Sequence, residues 1–584
     1  MTGEIFIGSY VLERLRQLGL KSIFGVPGGN TFHVVLRVTE FDHYADYELA
    51  LLDLIPEAGL EWKGNPNELN ASYAADGYAR VSNGVGALVT TYGPGELSAL
   101  CGIAGAYCEY VPVLHIVGYP SLEIMKGHKI VHHSLGHGTF TEFHDMSKKI
   151  CCATTVLMDA ETAASEIDRV LNEMLYQSQP GYIGIPTDIC YTNISSSSLQ
   201  TPLKMELPGN DGGEEAKAVA VIRELIERSS KPIIIVDGGA TRNQVLSEVE
   251  TLCQVTKFPY FANPWGKGAV SEASDRFGGV YTGLGTKPDV KEAVESSDCV
   301  LWIGKLSSDF NTAEFTEDVK LDRVIEFQRF WISIDGRKVD LNMKSVLQKL
   351  NEHFQSIPLK MEQAWNLMPC SPYPKLESAV PNGKMKQAWL WPRFAGFLQP
   401  NDILVIETGT SQIGINDTRF PEGLRAFTQT IFGSIGFAAG SSVGAFLAGK
   451  ERGGASRNIL VTGEGSLQLT IQAFSDLLRH DLKPILFILN NGGYTIERLI
   501  HGLREQYNHV PMWKYGELLD AFGIGYKTKA YQVRTCKEFD DVLREKTLTE
   551  ALCAQVVEIF LDELDAPEAL ISIGKMIDQK NTKK

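Results

Sequence analysis

Several common indicators of function are missing from this chain. No apolar run is long enough to cross a bilayer, and residues 1–4 lack the basic region of a signal peptide. The net charge of −16, from 55 Lys and Arg against 71 Asp and Glu, argues against nucleic acid or a membrane as the main partner. The ten cysteines contain no Cys-x-x-Cys motif, which favours reduced thiols and a cytoplasmic location over disulfides or zinc. Composition and charge therefore argue against nucleic-acid-binding and membrane-spanning classes.

The chain is long enough for three or four domains. Two polar stretches rich in Ser, Pro and Gly, at residues 193–213 and 369–383, divide it. We predict an N-terminal domain over residues 1–192, a central domain over 214–368 and a C-terminal domain over 384–584. Each third alternates short β-rich runs with helical stretches, which predicts an α/β fold of three doubly wound parallel sheets.

Short apolar runs mark the strands of these sheets. The predicted strands cover residues 86–91, 113–118, 232–237, 300–304, 403–406, 458–462 and 485–489, with a helix over 96–109 between the first two. In the central third, the sequence Asp237-Gly238-Gly239 lacks the G-x-G-x-x-G fingerprint. We therefore do not expect the central domain to bind a dinucleotide.

Two polar clusters follow strands of the last third. Residues 463–466 read Gly-Glu-Gly-Ser and precede a helix that we predict to begin near Leu467, while residues 490–493 read Asn-Asn-Gly-Gly. A carboxylate and a carboxamide at the ends of two buried parallel strands can hold one hard divalent cation, and the helix N-terminus beside them can bind a diphosphate. A lone G-x-G would be a weak signal, whereas the paired clusters predict a site for a metal-bound diphosphate.

These motifs resemble those of thiamine diphosphate enzymes, specifically the 2-oxo acid decarboxylases of the pyruvate decarboxylase type. The resemblance extends over nearly the whole chain and is densest at residues 67–80, 132–133, 407–410, 433–436 and 490–497. It implies thiamine diphosphate and Mg²⁺ as cofactors and a 2-oxo acid as substrate. It also implies three α/β domains assembled as a homodimer or homotetramer, with the cofactor site between subunits.

The resemblance assigns the catalytic groups. Glu68 corresponds to the carboxyl that hydrogen-bonds the pyrimidine ring of the cofactor, a role that suits an apolar site in which the proton is retained near neutral pH. His132, His133 and Glu497 correspond to the groups that handle protons after carbon dioxide has left. Taken alone, adjacent histidines on a loop and a Glu on a helix are more often solvated surface residues. Only the surrounding motifs favour the catalytic interpretation.

The resemblance also implies the cofactor contacts. Ile435 corresponds to the bulky aliphatic residue that bends the cofactor and brings its amino group against the reacting carbon. The implied Mg²⁺ ligands are the side chains of Glu464 and Asn491 and the carbonyl of Gly493. The remaining implied cofactor-binding residues are Thr408, Thr410, Gly433, Ser434, Gly465, Ser466, Gly492, Tyr494, Thr495 and Ile496. Most family members have Asp at the position of Glu464; we expect metal binding to persist, while the affinity and the metal preference are left open by the sequence.

An insertion interrupts the family pattern after Gly28. Family members read Phe-Gly-x-Pro-Gly-Asp at this turn, and that Asp is catalytic. Here the expected continuation begins at Asp46, after the seventeen extra residues 29–45, so we assign the catalytic role to Asp46. The insertion is either a genuine loop at the rim of the active site or, as we favour, a short retained intron translated in frame. Because a shift of about 1 Å in a catalytic group can lower the rate a hundredfold, we predict a weak enzyme.

Pyruvate is the leading substrate on this resemblance, but the predicted pocket walls leave alternatives. Phe432 stands where pyruvate-preferring relatives commonly have the larger Trp, and Phe310 is a second predicted wall. A wider pocket would suit phenylpyruvate, indolepyruvate or a branched 2-oxo acid. A hypothesis from another class is a catalytically idle paralogue that binds the cofactor as a sensor. Retention of Glu68 and both histidines favours the enzyme.

Overall fold

The computed structural model describes residues 3–27, 47–204, 206–357, 359, 383–454 and 457–582. The insertion, Asp46 and residues 369–382 of the second polar stretch lie outside the described residues. The chain divides into two compact units. The first unit comprises residues 1–206, 432–455 and 470–482, and the second unit comprises residues 207–431, 456–469 and 483–584.

The N-terminal third forms a six-stranded, all-parallel sheet. In chain order its elements are β1 (Glu4–Phe6), α1 (Ile7–Gln17), β2 (Ser22–Gly25), α2 (Leu49–Leu54), β3 (Glu61–Gly64), α3 (Glu68–Ser82), β4 (Gly86–Thr91), α4 (Pro94–Cys108), β5 (Val113–Tyr119), α5 (Leu122–Lys126), α6 (Glu142–Ser147), β6 (Ala153–Val156), α7 (Ala160–Gln177), β7 (Gly181–Pro186), α8 (Thr187–Cys190) and β8 (Asn193–Ser195). The strand order is β3-β2-β4-β5-β7-β6, and β1 pairs separately with β8 in an antiparallel ladder. Every residue of β4 and β5 is buried, as expected for a parallel sheet covered on both faces.

The central third forms a seven-stranded sheet. Its elements are α9 (Gly212–Arg228), β9 (Pro232–Val236), α10 (Gly238–Arg242), α11 (Leu246–Thr256), β10 (Tyr260–Ala262), β11 (Phe277–Val280), α12 (Pro288–Glu295), β12 (Cys299–Ile303), β13 (Val324–Phe327), β14 (Ile332–Ile334), β15 (Arg337–Val339) and α13 (Met343–Ser356). The strand order is β11-β10-β9-β12-β13-β14-β15. At one edge β14 runs antiparallel to β13, and β15 runs antiparallel to β14, a detail that the alternating pattern did not indicate.

The last third forms a second six-stranded, all-parallel sheet. Its elements are α14 (Gln387–Ala395), β16 (Ile403–Ile406), α15 (Thr410–Gly414), β17 (Arg425–Phe427), α16 (Phe437–Glu451), β18 (Asn458–Gly463), α17 (Glu464–Leu467), α18 (Ala473–Arg479), β19 (Ile485–Asn490), α19 (Thr495–Ile500), α20 (Leu518–Phe522), β20 (Thr528–Val533), α21 (Cys536–Leu543), α22 (Lys546–Thr549), β21 (Ala554–Phe560) and α23 (Glu568–Thr582). The strand order is β17-β16-β18-β19-β21-β20. None of the helices in the described part of the chain combines the length and apolar character needed to cross a bilayer.

The predicted fold class of three parallel-sheet α/β domains is confirmed by these sheets. All seven predicted strands are present, and their ends differ from the prediction by one residue at most. The prediction of a helix beginning near Leu467 is wrong, because α17 begins at Glu464 and ends at Leu467. Glu464, which the prediction placed before the helix, is therefore the first residue of α17, where the helix dipole favours a carboxylate.

Two helices from the last third, α16 and α18, belong to the first unit. Helix α16 packs directly along α3. An ideal Cβ added to Gly77 would lie 2.0 Å from the carbonyl oxygen of Ser441, and one added to Gly444 would lie 1.8 Å from that of Ala74. Glycine at these two positions allows the helix backbones to touch. Because residues 437–449 are all buried, α16 has no solvent-facing side, which explains why it is apolar all round.

Candidate active site

Glu68 lies at the first position of α3, the helix that packs against α16. Asn67 caps this helix, since its Oδ1 accepts a hydrogen bond of 2.7 Å from the N–H of Asn70. The Glu68 carboxyl lies against Gly95 of α4, where an ideal Cβ would come within 3.2 Å of Glu68 Oε1. Burial raises the pKa of Glu68, because the charged form is poorly solvated. The carboxyl therefore holds its proton closer to neutral pH, as its predicted role requires.

The two predicted catalytic histidines lie on the loop between α5 and α6. The ring centroids of His132 and His133 are 4.7 Å apart. Tyr47 stacks on His132 with a centroid separation of 4.9 Å, and its hydroxyl donates a hydrogen bond of 3.2 Å to the His132 carbonyl. Tyr47 was not predicted as a site residue; it follows Asp46 in the sequence, and Asp46 itself lies outside the described residues. The structure therefore brings both histidines together on a buried tyrosine.

A tight turn before α4 supports the histidine loop. Gly93 adopts a left-handed φ of 79°, and an ideal Cβ on it would lie 2.1 Å from the carbonyl oxygen of His133. The turn is fixed by Glu96, whose Oε1 accepts from the N–H of Gly93 at 2.9 Å and whose Oε2 accepts from the Tyr182 hydroxyl at 2.9 Å. Burial raises the pKa of Glu96 to about 7. Sequence reasoning missed these residues, although Gly-Pro followed by Glu is a recognisable capping signal for a helix N-terminus.

The segment that carries the predicted cofactor-bending residue is also anchored to α3. Ser434 Oγ lies 2.7 Å from the hydroxyl of Tyr73, a residue of α3. Gly433 and Gly436 have left-handed φ values of 59° and 90°, so the backbone turns sharply on both sides of Ile435. Ile435 is half-buried. One helix therefore positions both the predicted activating acid and the segment carrying Ile435.

In the second unit, the predicted metal ligands lie together at the C-terminal ends of β18 and β19, two central strands of the C-terminal sheet; this side of the sheet is called its edge. Strand β18 pairs with β19 so that Gly463 lies opposite Leu489, and the residues after both strands reach the same edge. Glu464 is 2% exposed, and its Oε1 accepts a hydrogen bond of 2.6 Å from the N–H of Gly493. Gly493 has a φ of 135°, a conformation that favours glycine.

The carboxamide of Asn491 lies between Glu464 and the turn after β19. Its nitrogen donates to Glu464 Oε1 at 3.3 Å and to the Gly493 carbonyl at 2.6 Å, while its oxygen accepts from Thr495 Oγ1 at 2.8 Å. The Glu464 carboxylate, the Asn491 carboxamide and the Gly493 carbonyl therefore lie within hydrogen-bond distance of one another. These are oxygen-bearing groups of the kind that a divalent cation such as Mg²⁺ prefers.

The charge of Glu464 fits the same interpretation. Burial raises its pKa to about 7, and the N–H of Gly493 only partly offsets that effect. A divalent cation would supply the compensating charge, so the residues present fit the implied Mg²⁺. The extra methylene relative to the common Asp does not prevent the carboxylate from reaching the loop after β19.

The remaining predicted residues of the second unit lie on nearby turns and helix starts. Thr408 precedes α15 and donates through Oγ1 to the Gln429 carbonyl at 3.3 Å, and Thr410 begins α15. Glu497 lies in the first turn of α19, and its side chain is exposed on this unit. The others, on α17, on the turn after β19 and at the start of α19, are Gly465, Ser466, Gly492, Tyr494, Thr495 and Ile496.

Arg498 is a further residue at this edge that sequence reasoning missed. Its side chain is 1% exposed. Its Nη2 donates to the carbonyl of Gly492 at 2.8 Å, and its Nη1 lies 3.4 Å from the carbonyl of Asn491. An Arg directly after a candidate catalytic Glu on a helix usually faces solvent, so nothing in the sequence pattern singles it out.

A cavity of about 140 Å³ lies within the second unit. Its apolar lining includes one predicted substrate-pocket wall together with residues of α15, α19 and α23: Phe310, Ile413, Ile496, Ile500, Leu570 and Ile573. The other predicted wall, Phe432, belongs to the first unit and is 40% exposed. The cavity therefore gathers apolar side chains from parts of the chain that are distant in sequence.

Comparison with known families identifies the class of protein. Three family models match, described as the N-terminal TPP binding domain, the central domain and the C-terminal TPP binding domain of thiamine pyrophosphate enzymes, over residues 6–147, 219–350 and 407–556. The chain belongs to the thiamine pyrophosphate enzymes, another name for the thiamine diphosphate family that its motifs resemble. The resemblance inferred from the sequence is therefore confirmed.

Within that family the chain is similar to fungal pyruvate decarboxylases along its full length. It is 41% identical to pyruvate decarboxylase isozyme 1 of Saccharomyces cerevisiae over 586 residues, which cover 99% of this chain and 100% of that protein. It is also 41% identical to the pyruvate decarboxylase of Candida glabrata, over 99% of both chains, and to that of Aspergillus terreus, over 97% of this chain and 95% of that one. The protein is thus a thiamine pyrophosphate enzyme of the pyruvate decarboxylase type.

Proposed function

We propose that this protein catalyses the non-oxidative decarboxylation of a 2-oxo acid, with pyruvate preferred, to an aldehyde and carbon dioxide. The observation that carries the proposal is the cluster of Glu464, Asn491 and Gly493 at the ends of β18 and β19, whose polar groups lie within hydrogen-bond distance of one another. That donor set suits Mg²⁺, the ion that would hold a diphosphate there. Full-length similarity to proteins named pyruvate decarboxylase supports the choice of substrate.

Each group of the chain has a physical role in this reaction. Bound thiamine diphosphate supplies the nucleophilic carbon that adds to the substrate and accepts the electrons left by carbon dioxide. Glu68 holds a proton at the pyrimidine ring, which its raised pKa favours. His132 and His133 hold and move protons on the substrate side, with Tyr47 fixing the loop. The apolar side chain of Ile435 bends the cofactor by packing.

We further propose that the protein acts as a homodimer or homotetramer in the cytoplasm. Glu68 belongs to the first unit and Glu464 to the second, and family resemblance implies that one subunit supplies the acid and its neighbour the metal ligands. Light scattering after size exclusion, with and without thiamine diphosphate and Mg²⁺, tests the assembly. A monomer that turns over at full rate would contradict it.

A second candidate substrate class is favoured by the cavity. A cavity of about 150 Å³ lined by Leu, Ile and Phe accommodates benzene. The present cavity is close to that size, with Leu, Ile and Phe on one part of its wall and charged side chains, including Lys287, Asp309 and Arg419, on another. An aromatic or branched 2-oxo acid could place its side chain against Phe310, Ile413 and Ile496. Measuring kcat/KM for pyruvate, phenylpyruvate and a branched 2-oxo acid decides between the classes. A tenfold preference for phenylpyruvate would overturn pyruvate as the main substrate.

The decisive experiment compares the full chain with a variant lacking residues 29–45. Calorimetry first measures thiamine diphosphate binding at saturating Mg²⁺, and an aldehyde assay then measures turnover. We expect both proteins to bind the cofactor and the deletion to raise activity at least tenfold, because Asp46 would regain its place beside the Gly28 turn. Equal or lower activity after deletion would discard the retained-intron explanation. Binding without turnover in both proteins would favour the sensor, and no binding in either would reject the proposed function.

A further inference from the structure

Arg498 is a buried cation whose hydrogen bonds go to backbone carbonyls on the turn that carries the predicted metal ligands. Its donors contact the carbonyls of Gly492, at 2.8 Å, and Asn491, at 3.4 Å. Its ion pair with Glu563 spans 3.9 Å, and the Glu563 side chain is 58% exposed, so that pair contributes little. Burying a guanidinium is unfavourable unless its donors find acceptors, and here two of them bond to carbonyls of the turn after β19.

The guanidinium also limits the space around Gly493. An ideal Cβ on Gly493 would lie 3.0 Å from Arg498 Nη2 and 2.0 Å from the carbonyl oxygen of Asn508. Asn508 in turn accepts a hydrogen bond of 2.9 Å from the N–H of Tyr494. The peptide group whose carbonyl is a predicted metal ligand is therefore held between Arg498 on one side and Asn508 on the other.

We propose that Arg498 is a positioning residue for the divalent cation: it fixes the peptide groups of Asn491 and Gly492 so that the Gly493 carbonyl and the Asn491 side chain aim at one point. This inference rests on the proposed function, because it takes the cluster of Glu464, Asn491 and Gly493 as the Mg²⁺ site. A purely structural arginine would stabilise the unit without any effect on which ion the site prefers. The two roles therefore differ in a measurable property.

The choice of ion follows from coordination chemistry. Mg²⁺ requires a near-ideal octahedron with ligands at about 2.0–2.1 Å, whereas Ca²⁺ accepts a flexible shell at about 2.3–2.6 Å. Without Arg498 the turn after β19 would be less rigid, and it would lose the short, fixed ligand distances that Mg²⁺ requires before it lost the longer ones that Ca²⁺ accepts. Removal of the guanidinium should thus weaken Mg²⁺ binding more than Ca²⁺ binding.

The test uses the full chain with Arg498→Met, Arg498→Lys and a matched control, Arg457→Met. Arg457 is another buried arginine of the second unit, 7% exposed. Its side chain donates to Asp402 and to the carbonyls of Phe397 and Thr549, none of which belongs to β19 or to the turn after it. Calorimetry with thiamine diphosphate present measures the Kd of Mg²⁺ and of Ca²⁺ separately, and thermal unfolding gives Tm. We expect Arg498→Met to raise the Mg²⁺ Kd at least tenfold and the Ca²⁺ Kd less than threefold. Arg498→Lys should recover part of the Mg²⁺ affinity, because an ammonium can still donate to one carbonyl.

The control separates positioning from stability. Arg457→Met should lower Tm and leave both Kd values within twofold of the wild type. Equal weakening of both ions by Arg498→Met, or the same change in Arg457→Met, would overturn the inference, and Arg498→Lys gives the same comparison should the Met variant fail to fold. Wild-type protein that binds neither ion in the presence of thiamine diphosphate would instead reject the proposed metal site itself.

Discussion

Replacing Gly93 with alanine should lower the turnover number about a hundredfold and leave thiamine diphosphate binding intact. The ideal Cβ would lie 2.1 Å from the His133 carbonyl oxygen, whereas a carbon–oxygen contact needs about 3.3 Å, so that carbonyl must move by about 1 Å. A displacement of about 1 Å at a catalytic group can lower the rate by about a hundredfold. That factor corresponds to about 2.7 kcal/mol in the activation barrier.

Gly136, on the same loop as His133, provides the matched control. It has the same φ of 79° as Gly93, but nothing lies within 4 Å of its ideal Cβ. Alanine is strained by the positive φ at both positions, and Gly93 has in addition a ψ of −110°, outside the left-handed helical region. Only Gly93→Ala displaces His133. A coupled assay that follows aldehyde formation at saturating pyruvate, cofactor and Mg²⁺ gives kcat, while calorimetry gives cofactor affinity. If kcat of Gly93→Ala is within threefold of that of Gly136→Ala, the contact with His133 has no catalytic importance and the reasoning is refuted.

Three further predictions concern ionisable groups. Glu68→Gln keeps the side-chain shape but not the exchangeable proton, so kcat in the aldehyde assay should fall at least a hundredfold; a loss below fivefold would contradict its role. Because burial raises the pKa of Glu464 to about 7, protons compete with Mg²⁺ for this carboxylate in acid. Calorimetry should therefore find Mg²⁺ binding about tenfold weaker at pH 6 than at pH 8. Glu464→Gln should remove this pH dependence together with most of the affinity. Burial lowers the pKa of the His115 imidazole to about 3, below its value of about 6.5 in the unfolded chain. Between these two pH values only the unfolded chain binds a proton at His115, so the folded state loses stability as pH falls below about 6.5. His115→Asn should therefore reduce the decline in the free energy of unfolding between pH 7.5 and 5.5 by roughly 1.4 kcal/mol in urea titrations, and an unchanged decline would show that the buried imidazole is not its source.

The predicted metal site at the ends of β18 and β19 could be inferred from the sequence because its side chains directly follow the strands that position them. Glu464 and Asn491 each follow a short apolar run, and the C-terminal ends of neighbouring parallel strands always share one edge of the sheet. The prediction needed only the assumption that the two strands are adjacent. The start of α17 was predicted wrongly because Gly463-Glu464-Gly465 favours a loop when helix propensity alone is considered.

The supports of the site were not predictable because they depend on long-range contacts. Nothing in the sequence connects Gly93 with His133, or Tyr47 with His132, since these contacts arise from the folding of the first unit. The burial of Arg498 likewise depends on the turn after β19 bending back over α19. Roles that come from family resemblance, including that of Asp46, remain predictions.

The contact between α3 and α16 has a consequence for synthesis of the protein. Roughly 370 residues separate the two helices, so at about 5–20 residues per second a ribosome needs some 20 to 75 s to deliver the partner of α3. During that interval the side of α3 that carries Gly77 lacks α16 and exposes apolar surface. The nascent N-terminal third is therefore incomplete until most of the polypeptide has been translated, and it is in this period that we expect chaperones to be needed.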